Sequence, residues 1–170
     1  MAKEYSWVRT WRALKAADGG EASNEQPAII FEAIASTPVL ILLGAPGMGK
    51  THEARRAYEH LESEGLAATF ISLRRLARIE DLTSALLHSP NFTRWSTNEK
   101  LVWTIFLDGF DESSVPVPIF ANWLSSSLHQ LAETPEKTQR LNIRITSRAP
   151  EWSTLLERDL REKWGDGTCQ

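Results

Sequence analysis

The stretch VLILLGAPGMGKT, residues 39–51, joins a short apolar run to a glycine-rich loop and to the start of a helical pattern. Residues 44–51 match the spacing G-x-x-x-x-G-K-T, in which the glycines let backbone amides converge on phosphate oxygens. The lysine can reach the outer phosphates, and the threonine hydroxyl can bind Mg²⁺ beside a helix N-terminus that attracts anions. The pattern therefore predicts a strand, a phosphate-binding loop and a helix that together bind a nucleoside triphosphate with Mg²⁺.

All eight residues of this loop are predicted to contact the nucleotide. They are Gly44, Ala45, Pro46, Gly47, Met48, Gly49, Lys50 and Thr51. Thr51 is in addition a predicted metal ligand, because its hydroxyl lies where the Mg²⁺ that accompanies the phosphates would bind.

Apolar runs and helical patterns alternate along the rest of the chain. The predicted strands are residues 39–43, 68–73, 102–107 and 141–146, and the predicted helices are residues 50–64, 79–87 and 117–132. A Ser-Pro-Asn turn is predicted at residues 89–91. This alternation predicts a three-layer α/β/α fold with a mainly parallel sheet of about four strands and the ligand at the carboxyl ends of the strands.

The N-terminal region has a different pattern. Large apolar residues recur at helical spacing within residues 5–17, which predicts an amphipathic helix that packs on the core or binds a partner. The glycine-containing segment 18–26 is a predicted linker, and residues 28–35 are a predicted short helix after a proline. The sequence therefore divides into an N-terminal helix and linker, residues 1–26, and an α/β core, residues 27–170.

A second group of polar residues follows the third predicted strand, in the segment LDGFDE, residues 107–112. Asp108 lies at the carboxyl end of that strand, where a carboxylate can hold Mg²⁺ directly or through water, so it is the second predicted metal ligand. Asp111 and Glu112 are candidates for the catalytic group that orients or deprotonates the attacking water. Either of them could instead cap or solvate the turn.

The fourth predicted strand ends in the segment ITSR, residues 145–148. The guanidinium of Arg148 is a predicted catalytic group that senses the γ-phosphate, and pairing with a surface carboxylate is the alternative. The same strand alternates Asn142 and Arg144 with apolar residues, which is unusual for a central strand of a parallel sheet. This polarity indicates that one face is thinly covered, that it docks onto something absent from this sequence, or that the predicted register is wrong.

The composition is that of a globular protein without an electrostatic preference for polyanions. Of the 170 residues, 42% are hydrophobic and 24% are charged, and the formal net charge is −3, so nucleic acid is not a favoured partner. Arg74, Arg75 and Arg78 are expected on a solvated basic face, with contact to nucleotide or a neighbouring subunit as the alternative. The one cysteine, Cys169, excludes an intramolecular disulfide, and no apolar run is long enough to span a membrane. We therefore expect a cytoplasmic protein without a membrane partner.

Three blocks resemble, in this order, the NACHT domain of the STAND class of AAA-related ATPases: GAPGMGKT at 44–51, IFLDGFDE at 105–112 and ITSRAP at 145–150. The middle block is the discriminating one. Ordinary AAA ATPases have a glutamate directly after the magnesium aspartate. NACHT-like proteins have a small residue there and place the acidic pair further along, as with Gly109, Asp111 and Glu112 in this sequence.

The resemblance implies a role for each matching residue. Lys50 and Thr51 would hold phosphate and Mg²⁺, Asp108 would be the Walker B aspartate, the acidic pair would supply the hydrolytic group, and Arg148 would be the sensor. Members of this family are usually ATP-driven switches, in which ADP holds a closed monomer and ATP exchange permits oligomerisation and activates an attached effector. Bacterial relatives often act in anti-phage defence.

The family also has parts that lie beyond these motifs. A fifth core strand, a helical lid, a winged-helix domain and a long sensor region follow the sensor arginine, whereas this sequence ends at Gln170. The resemblance therefore implies a P-loop NTPase core that is incomplete at its C-terminal end, either as a fragment or as a minimal module that depends on a partner. A homo-oligomer or a partner protein would then be engaged through the missing domains.

The leading functional hypothesis is an ATPase that hydrolyses ATP slowly as a signalling switch, with Mg²⁺ as cofactor and ATP or ADP as ligand. Slow turnover is expected because an arginine supplied by a neighbour or a lid contributes roughly 10³–10⁵ in related phosphoryl-transfer systems. The alternative is a non-hydrolysing module that binds nucleotide and exposes a surface for assembly. A small-molecule kinase would need an arginine-rich lid, and a GTPase would need an Asn-Lys-x-Asp motif; the sequence shows neither of them. The acidic balance disfavours a helicase or loader. ATP is therefore the preferred nucleotide.

Overall fold

Strands and helices alternate along the chain in the computed structural model, which describes residues 10–11, 29–30, 37–165 and 168–169. The strands are β1 (Thr10–Trp11), β2 (Ile29–Ile30), β3 (Val39–Leu43), β4 (Ala67–Ser72), β5 (Trp103–Asp108), β6 (Leu141–Ser147) and β7 (Thr168–Cys169). The α-helices are α1 (Lys50–Ser63), α2 (Ile79–Leu87), α3 (Pro90–Thr97), α4 (Val117–Leu131), α5 (Pro135–Gln139) and α6 (Thr154–Trp164). The four predicted strands and the helices predicted at residues 50–64, 79–87 and 117–132 are present, with bounds within one residue of the prediction.

Strands β3 to β7 form one parallel sheet with the order β4-β5-β6-β3-β7. β6 lies between β3 and β5, with Leu43 paired to Ser147 and Leu107 paired to Ile145. Because the strands are parallel, the loop after β3 and the ends of β5 and β6 meet at one edge of the sheet. The predicted α/β fold with a parallel sheet is confirmed, and its topology brings the three sequence motifs together.

Alternate residues of the strands face two helical layers. One face packs on α2, α3, α4 and α6. Its buried core includes Ile41, Ile105, Ile143, Leu82, Trp95, Leu124 and Leu160. α1 covers the other face through Ala54, which packs with Ala68 and Phe106. Burying a large apolar side chain stabilises a fold by roughly 1.5–3 kcal/mol, so these layers fix the strand ends and the loops attached to them. Among the helices of the described residues, none has the length and apolar character needed to cross a membrane.

Of the two polar positions that interrupt β6, Arg144 is buried and Asn142 is half-buried. Arg144 is 4% exposed and pairs in register with Leu40 and Phe106. Its guanidinium donates to the backbone carbonyls of Pro38 at 3.2 Å and Ile143 at 2.9 Å. Burial lowers the pKa of Arg144 to about 10, so the side chain stays charged at neutral pH. The predicted strand at residues 141–146 is confirmed, and Arg144 donates to backbone carbonyls within the fold instead of lying on the surface.

Helix α3 occupies the segment for which a Ser-Pro-Asn turn is predicted, and that prediction is wrong. The hydroxyl of Ser89 accepts a hydrogen bond from the backbone N–H of Phe92 at 3.0 Å, and Pro90 is the first helical residue. Serine at the N-cap followed by proline starts a helix as readily as it starts a turn. α3 contacts the edge strand β4, where the side-chain amide of Asn91 donates to the carbonyl of Ala68.

Both ends of the chain also differ from the prediction. Thr10–Trp11 pairs antiparallel with Ile29–Ile30, so these residues are extended where helices are predicted. The other residues of the predicted helices and linker within 1–36 lie outside the described part of the chain. Thr168–Cys169 pairs with β3 as a short fifth strand, although four strands are predicted and a fifth is expected to be missing. A two-residue strand is too short to produce a hydrophobic period, which is why the pattern does not reveal it.

Candidate active site

The loop between β3 and α1 turns the chain with little side-chain bulk. Gly47 and Gly49 have φ angles of 77° and 81°, which glycine adopts readily and other residues do not. Gly49 is also the N-cap residue of α1, and no side chain caps this end of the helix. The first N–H groups of α1 therefore face the loop and provide an anion-binding helix end.

Lys50 folds back over this loop. Its Nζ donates hydrogen bonds to the carbonyl oxygens of Gly44 at 2.7 Å and Ala45 at 3.0 Å. The ammonium group therefore lies close to the loop backbone, in contacts that an anion can replace with stronger charge-assisted bonds. Pro46 lines the same cleft, whereas Met48 is 57% exposed.

The carboxylate of Asp108 receives hydroxyl donors from two other segments. Thr51 Oγ1 donates to Asp108 Oδ1 at 2.9 Å, although the two residues are 57 positions apart in the sequence. Thr146 Oγ1 donates to the same oxygen at 2.7 Å and accepts from the backbone N–H of Gly109 at 2.9 Å. Asp108 is 8% exposed. The fold thus brings the two predicted metal ligands into contact and adds Thr146, for which the sequence predicts no role.

Asp111 and Arg148 bind each other. Asp111 Oδ1 accepts from the backbone N–H of Arg148 at 2.8 Å, and Oδ2 accepts from Arg148 Nε at 2.5 Å. The side chain of Asp111 is 3% exposed and that of Arg148 is 41% exposed. Desolvation raises the pKa of Asp111, but hydrogen bonds from the side chain and backbone of Arg148 outweigh it, and the net pKa lies below the ordinary 3.8. Arg148 does pair with a carboxylate, but the partner is the buried candidate acid of the same site.

Glu112 and Arg74 form a second and more exposed pair. Arg74 Nε and Nη2 lie 2.7 and 2.6 Å from Glu112 Oε2, and the two side chains are 69% and 43% exposed. Water screens such exposed pairs, so this one contributes little to stability. Arg74 lines the cleft, whereas Arg78 pairs with Asp81 and belongs to the expected solvated basic face.

These side chains surround an open cleft of about 710 Å³ at the carboxyl ends of the strands. A cleft of this size suits a ligand as large as a nucleotide. The permanently charged or ionised groups that line it are Lys50, Arg55, Arg74, Arg148, Asp111 and Glu112. With Asp108, which contacts the lining residues Thr51 and Thr146, four cations against three carboxylates leave an excess of one positive charge, whereas the chain as a whole carries −3. The cleft therefore attracts anions although the protein is acidic.

The residues present fit a Mg²⁺ ion that enters together with a nucleotide. In the described part of the chain, no group of three or more His, Cys, Asp or Glu side chains could hold a metal ion unaided. Thr51 and Asp108 offer oxygen donors in direct contact with each other. Mg²⁺ prefers oxygen ligands and is usually held by one or two carboxylates, water and substrate phosphates. This donor set therefore suits a shared metal ion rather than a resident one.

Comparison with known proteins identifies similarities of fold only. No protein-family model and no curated protein matches this chain. Among solved structures, EssC (ATPases 2 and 3) from Geobacillus thermodenitrificans aligns at 13% identity with a TM-score of 0.43, over 81% of this chain and 33% of that chain. The ORC2 protein of Aeropyrum pernix, solved in ADPNP-ADP complexes, aligns at 16% identity with a TM-score of 0.34, over 76% of this chain and 38% of that chain. The chain thus spans well under half of each of these proteins.

Proposed function

We propose that this chain binds ATP or ADP together with Mg²⁺ in the cleft at the carboxyl ends of β3, β5 and β6. The observation that supports this most directly is the hydrogen bond between Thr51 and Asp108, which joins the glycine-rich loop to the acidic end of a different strand. The positive excess within the cleft of an acidic protein supports the same ligand class. Phosphoryl transfer uses a phosphate-binding loop, a hydroxyl and a carboxylate near the metal, and a cation near the outer phosphates. The loop at residues 44–51, Thr51, Asp108 and Lys50 are suited to these roles.

The phosphate contacts fall to the loop and to Lys50. The backbone amides at residues 44–51 and the N-terminus of α1 bind phosphate oxygens, and Lys50 exchanges its carbonyl contacts for the outer phosphates. Thr51 would offer an oxygen lone pair to the metal while its O–H continues to donate a hydrogen bond to Asp108. When bound, Mg²⁺ neutralises phosphate charge and stabilises the charge that develops during transfer.

Hydrolysis requires that the acidic pair be released from its arginines. Both oxygens of Asp111 are engaged by Arg148, and Glu112 is engaged by Arg74. A γ-phosphate within reach of Arg148 competes with Asp111 for the guanidinium, and the freed carboxylate can then orient water. While it is paired with Arg148, Asp111 has a pKa below the ordinary value and is ionised at neutral pH. Release from the guanidinium removes a hydrogen bond that lowers this pKa while desolvation still raises it, so the freed carboxylate is the better proton acceptor. Sensing of ATP and release of the acid are in this way one event.

The wider role that we propose is the nucleotide switch of a STAND-type signalling or anti-phage defence protein. The residues that resemble the NACHT motifs are the ones that meet in the cleft, which supports this assignment. Turnover is slow, and a homo-oligomer or partner protein engages the switch through further domains. A non-hydrolysing assembly module is the second candidate, and it is favoured by the pairing of both candidate acids with arginines.

Calorimetric titration of the purified chain with ATP and ADP, in Mg²⁺ and in EDTA, tests the binding proposal. Nucleotide extracted from the denatured protein and ATP turnover by the same sample complete the test. Binding with turnover supports the switch, and binding without turnover supports the assembly module. Absence of binding under all conditions would refute both.

Asp108→Asn is expected to weaken the Mg²⁺-dependent part of nucleotide binding by about 10- to 100-fold, as losses around metal ligands usually do. The reason is that the neutral amide keeps one oxygen that can accept from a hydroxyl but lacks the negative charge and second oxygen with which the carboxylate supports the metal. Affinity in EDTA should change little. Asp81→Asn, at the exposed pair with Arg78, is the matched control and should leave both affinities unchanged. Equal losses with and without Mg²⁺ would argue against a metal role for Asp108.

Arg148→Ala is expected to remove the preference for ATP over ADP while ADP affinity stays nearly constant. A hydrogen bond to a charged group contributes roughly 1.5–3 kcal/mol, so ATP affinity should fall by about 10- to 150-fold. The measurement is the ratio of the two dissociation constants. Arg158→Ala, which removes an exposed arginine of α6, is the control. If ATP and ADP affinity fell together, Arg148 would not be the γ-phosphate sensor.

A further inference from the structure

We propose that Thr146 is a positioning residue of this site, whose hydroxyl fixes both the carboxylate of Asp108 and the turn that leads to Asp111. The inference rests on the proposed Mg²⁺-nucleotide function. It extends that function to a residue of β6, whereas the two predicted metal ligands lie on α1 and at the end of β5.

The direction of both hydrogen bonds follows from the donors available. The backbone N–H of Gly109 can only donate, so Thr146 Oγ1 accepts from it at 2.9 Å. The single proton of the hydroxyl is then directed to Asp108 Oδ1, 2.7 Å away. Thr146 is 2% exposed, so bulk water cannot take over either contact. One hydroxyl thus holds two consecutive residues of the acidic segment.

The register of the sheet makes this contact a fixed property of the fold. Leu107 of β5 pairs with Ile145 of β6, which brings the next residues, Asp108 and Thr146, side by side. Immediately after Asp108, Gly109 adopts a φ of 77°, a conformation that turns the chain toward Asp111. The Thr146 hydroxyl therefore ties the start of the turn to β6.

The same strand end also holds the far side of this turn. Arg148, two residues after Thr146, binds Asp111 through its backbone N–H and its Nε. The carboxyl end of β6 therefore acts as a template for residues 108–111, with Thr146 on the metal side and Arg148 on the hydrolytic side. Loss of the Thr146 hydroxyl leaves the Arg148 contacts in place. It removes one of the two hydroxyl donors to Asp108 in the described residues, so the Asp108 side chain gains freedom to rotate about the contact with Thr51 that remains.

A hydroxyl that served the fold alone would give a different result from one that positions a metal ligand. The distinguishing quantity is the Mg²⁺ gain, defined as the dissociation constant for ATP in EDTA divided by that in Mg²⁺. A purely structural role predicts a lower melting temperature with an unchanged Mg²⁺ gain. The positioning role predicts a reduced Mg²⁺ gain with ATP affinity in EDTA preserved, because the loop and Lys50 are untouched.

The test compares Thr146→Val, which keeps the shape and removes the hydroxyl, with Thr146→Ser, which restores it. We expect Thr146→Val to lower the Mg²⁺ gain by roughly 10- to 100-fold, the range for residues that orient metal ligands, and Thr146→Ser to recover most of it. Thr104→Val is the matched control, since Thr104 is a buried threonine of β5 with 7% exposure, four residues before Asp108. It should leave the Mg²⁺ gain unchanged.

Each outcome supports or overturns the inference. A Thr146→Val chain that binds ATP with the wild-type Mg²⁺ gain would overturn it while leaving the proposed function intact. If Thr146→Val does not fold, Thr146→Cys offers a similar volume with a weak donor, and its Mg²⁺ gain must fall below that of Thr146→Ser. Wild-type protein without any Mg²⁺ gain would instead refute the metal part of the proposed function, and the inference with it.

Discussion

Lys50→Ala is expected to abolish measurable nucleotide binding, with a loss on the order of 10²-fold or more, since each hydrogen bond to a charged group contributes roughly 1.5–3 kcal/mol. Among the described residues, Lys50 is the one lysine that lines the cleft, and its Nζ lies against the carbonyls of Gly44 and Ala45, at the loop that would receive the phosphates. Its removal leaves the loop amides as the main phosphate contacts. The measurement is calorimetric titration with ATP and ADP in Mg²⁺.

Lys100→Ala is the matched control for this substitution. Lys100 is exposed and precedes β5 at the opposite, amino-terminal edge of the sheet, so its loss changes the net charge equally without touching the cleft. Both variants should melt close to the wild type, because the Lys50 contacts are to loop carbonyls outside the core. Unchanged affinity in Lys50→Ala would overturn the assignment of the binding site itself.

Asp111→Asn is expected to eliminate ATP turnover while nucleotide binding is retained. A positioned general base or water-orienting group contributes typically about 10²–10⁴ to rate, and the amide cannot accept the proton. Asparagine has nearly the same shape as aspartate and can still accept from the backbone N–H of Arg148, so the loop should stay in place. The measurement is phosphate release at saturating Mg²⁺ and ATP, with affinity determined in parallel.

Glu112→Gln separates the two candidate acids. If turnover is lost in Glu112→Gln and kept in Asp111→Asn, the hydrolytic group is Glu112, and retention of turnover in both would exclude either acid.

The pH dependence of stability gives an independent readout. The folded pKa of Asp111 is below its ordinary value of 3.8, so the pair with Arg148 stabilises the folded chain above pH 3.8, and this contribution is lost as the pH falls through the folded pKa. Wild type and Asp111→Asn should therefore differ in melting temperature at neutral pH and converge in acid.

The sequence was sufficient for the parts of the site that depend on local chemistry. The loop at residues 44–51 requires glycine where φ is positive and follows an apolar run, so β3 and the start of α1 are predicted with their observed bounds. Asp108 is predictable for a related reason, because a carboxylate after a buried strand can only lie at the carboxyl edge of the sheet. These inferences need the order of residues along one segment and nothing from elsewhere in the chain.

The remaining parts depend on contacts between distant segments. The role of Thr146 follows from the register of β6 against β5, which no local pattern contains. The pairing of Arg148 with Asp111 joins two residues that the sequence presents as separate candidates. The signal for α3, serine followed by proline at residues 89 and 90, was visible but is shared by turns and helix starts, so only packing decides between them.

The outer edge of the sheet at β4 is protected against β-augmentation. An exposed edge strand is a template on which another chain can add a strand, and such addition leads to aggregation or to open-ended assembly. The side-chain amide of Asn91 donates a hydrogen bond to the carbonyl of Ala68, and α3 packs beside the strand. Addition of a strand from another chain at this edge would first require α3 and the Asn91 contact to be displaced.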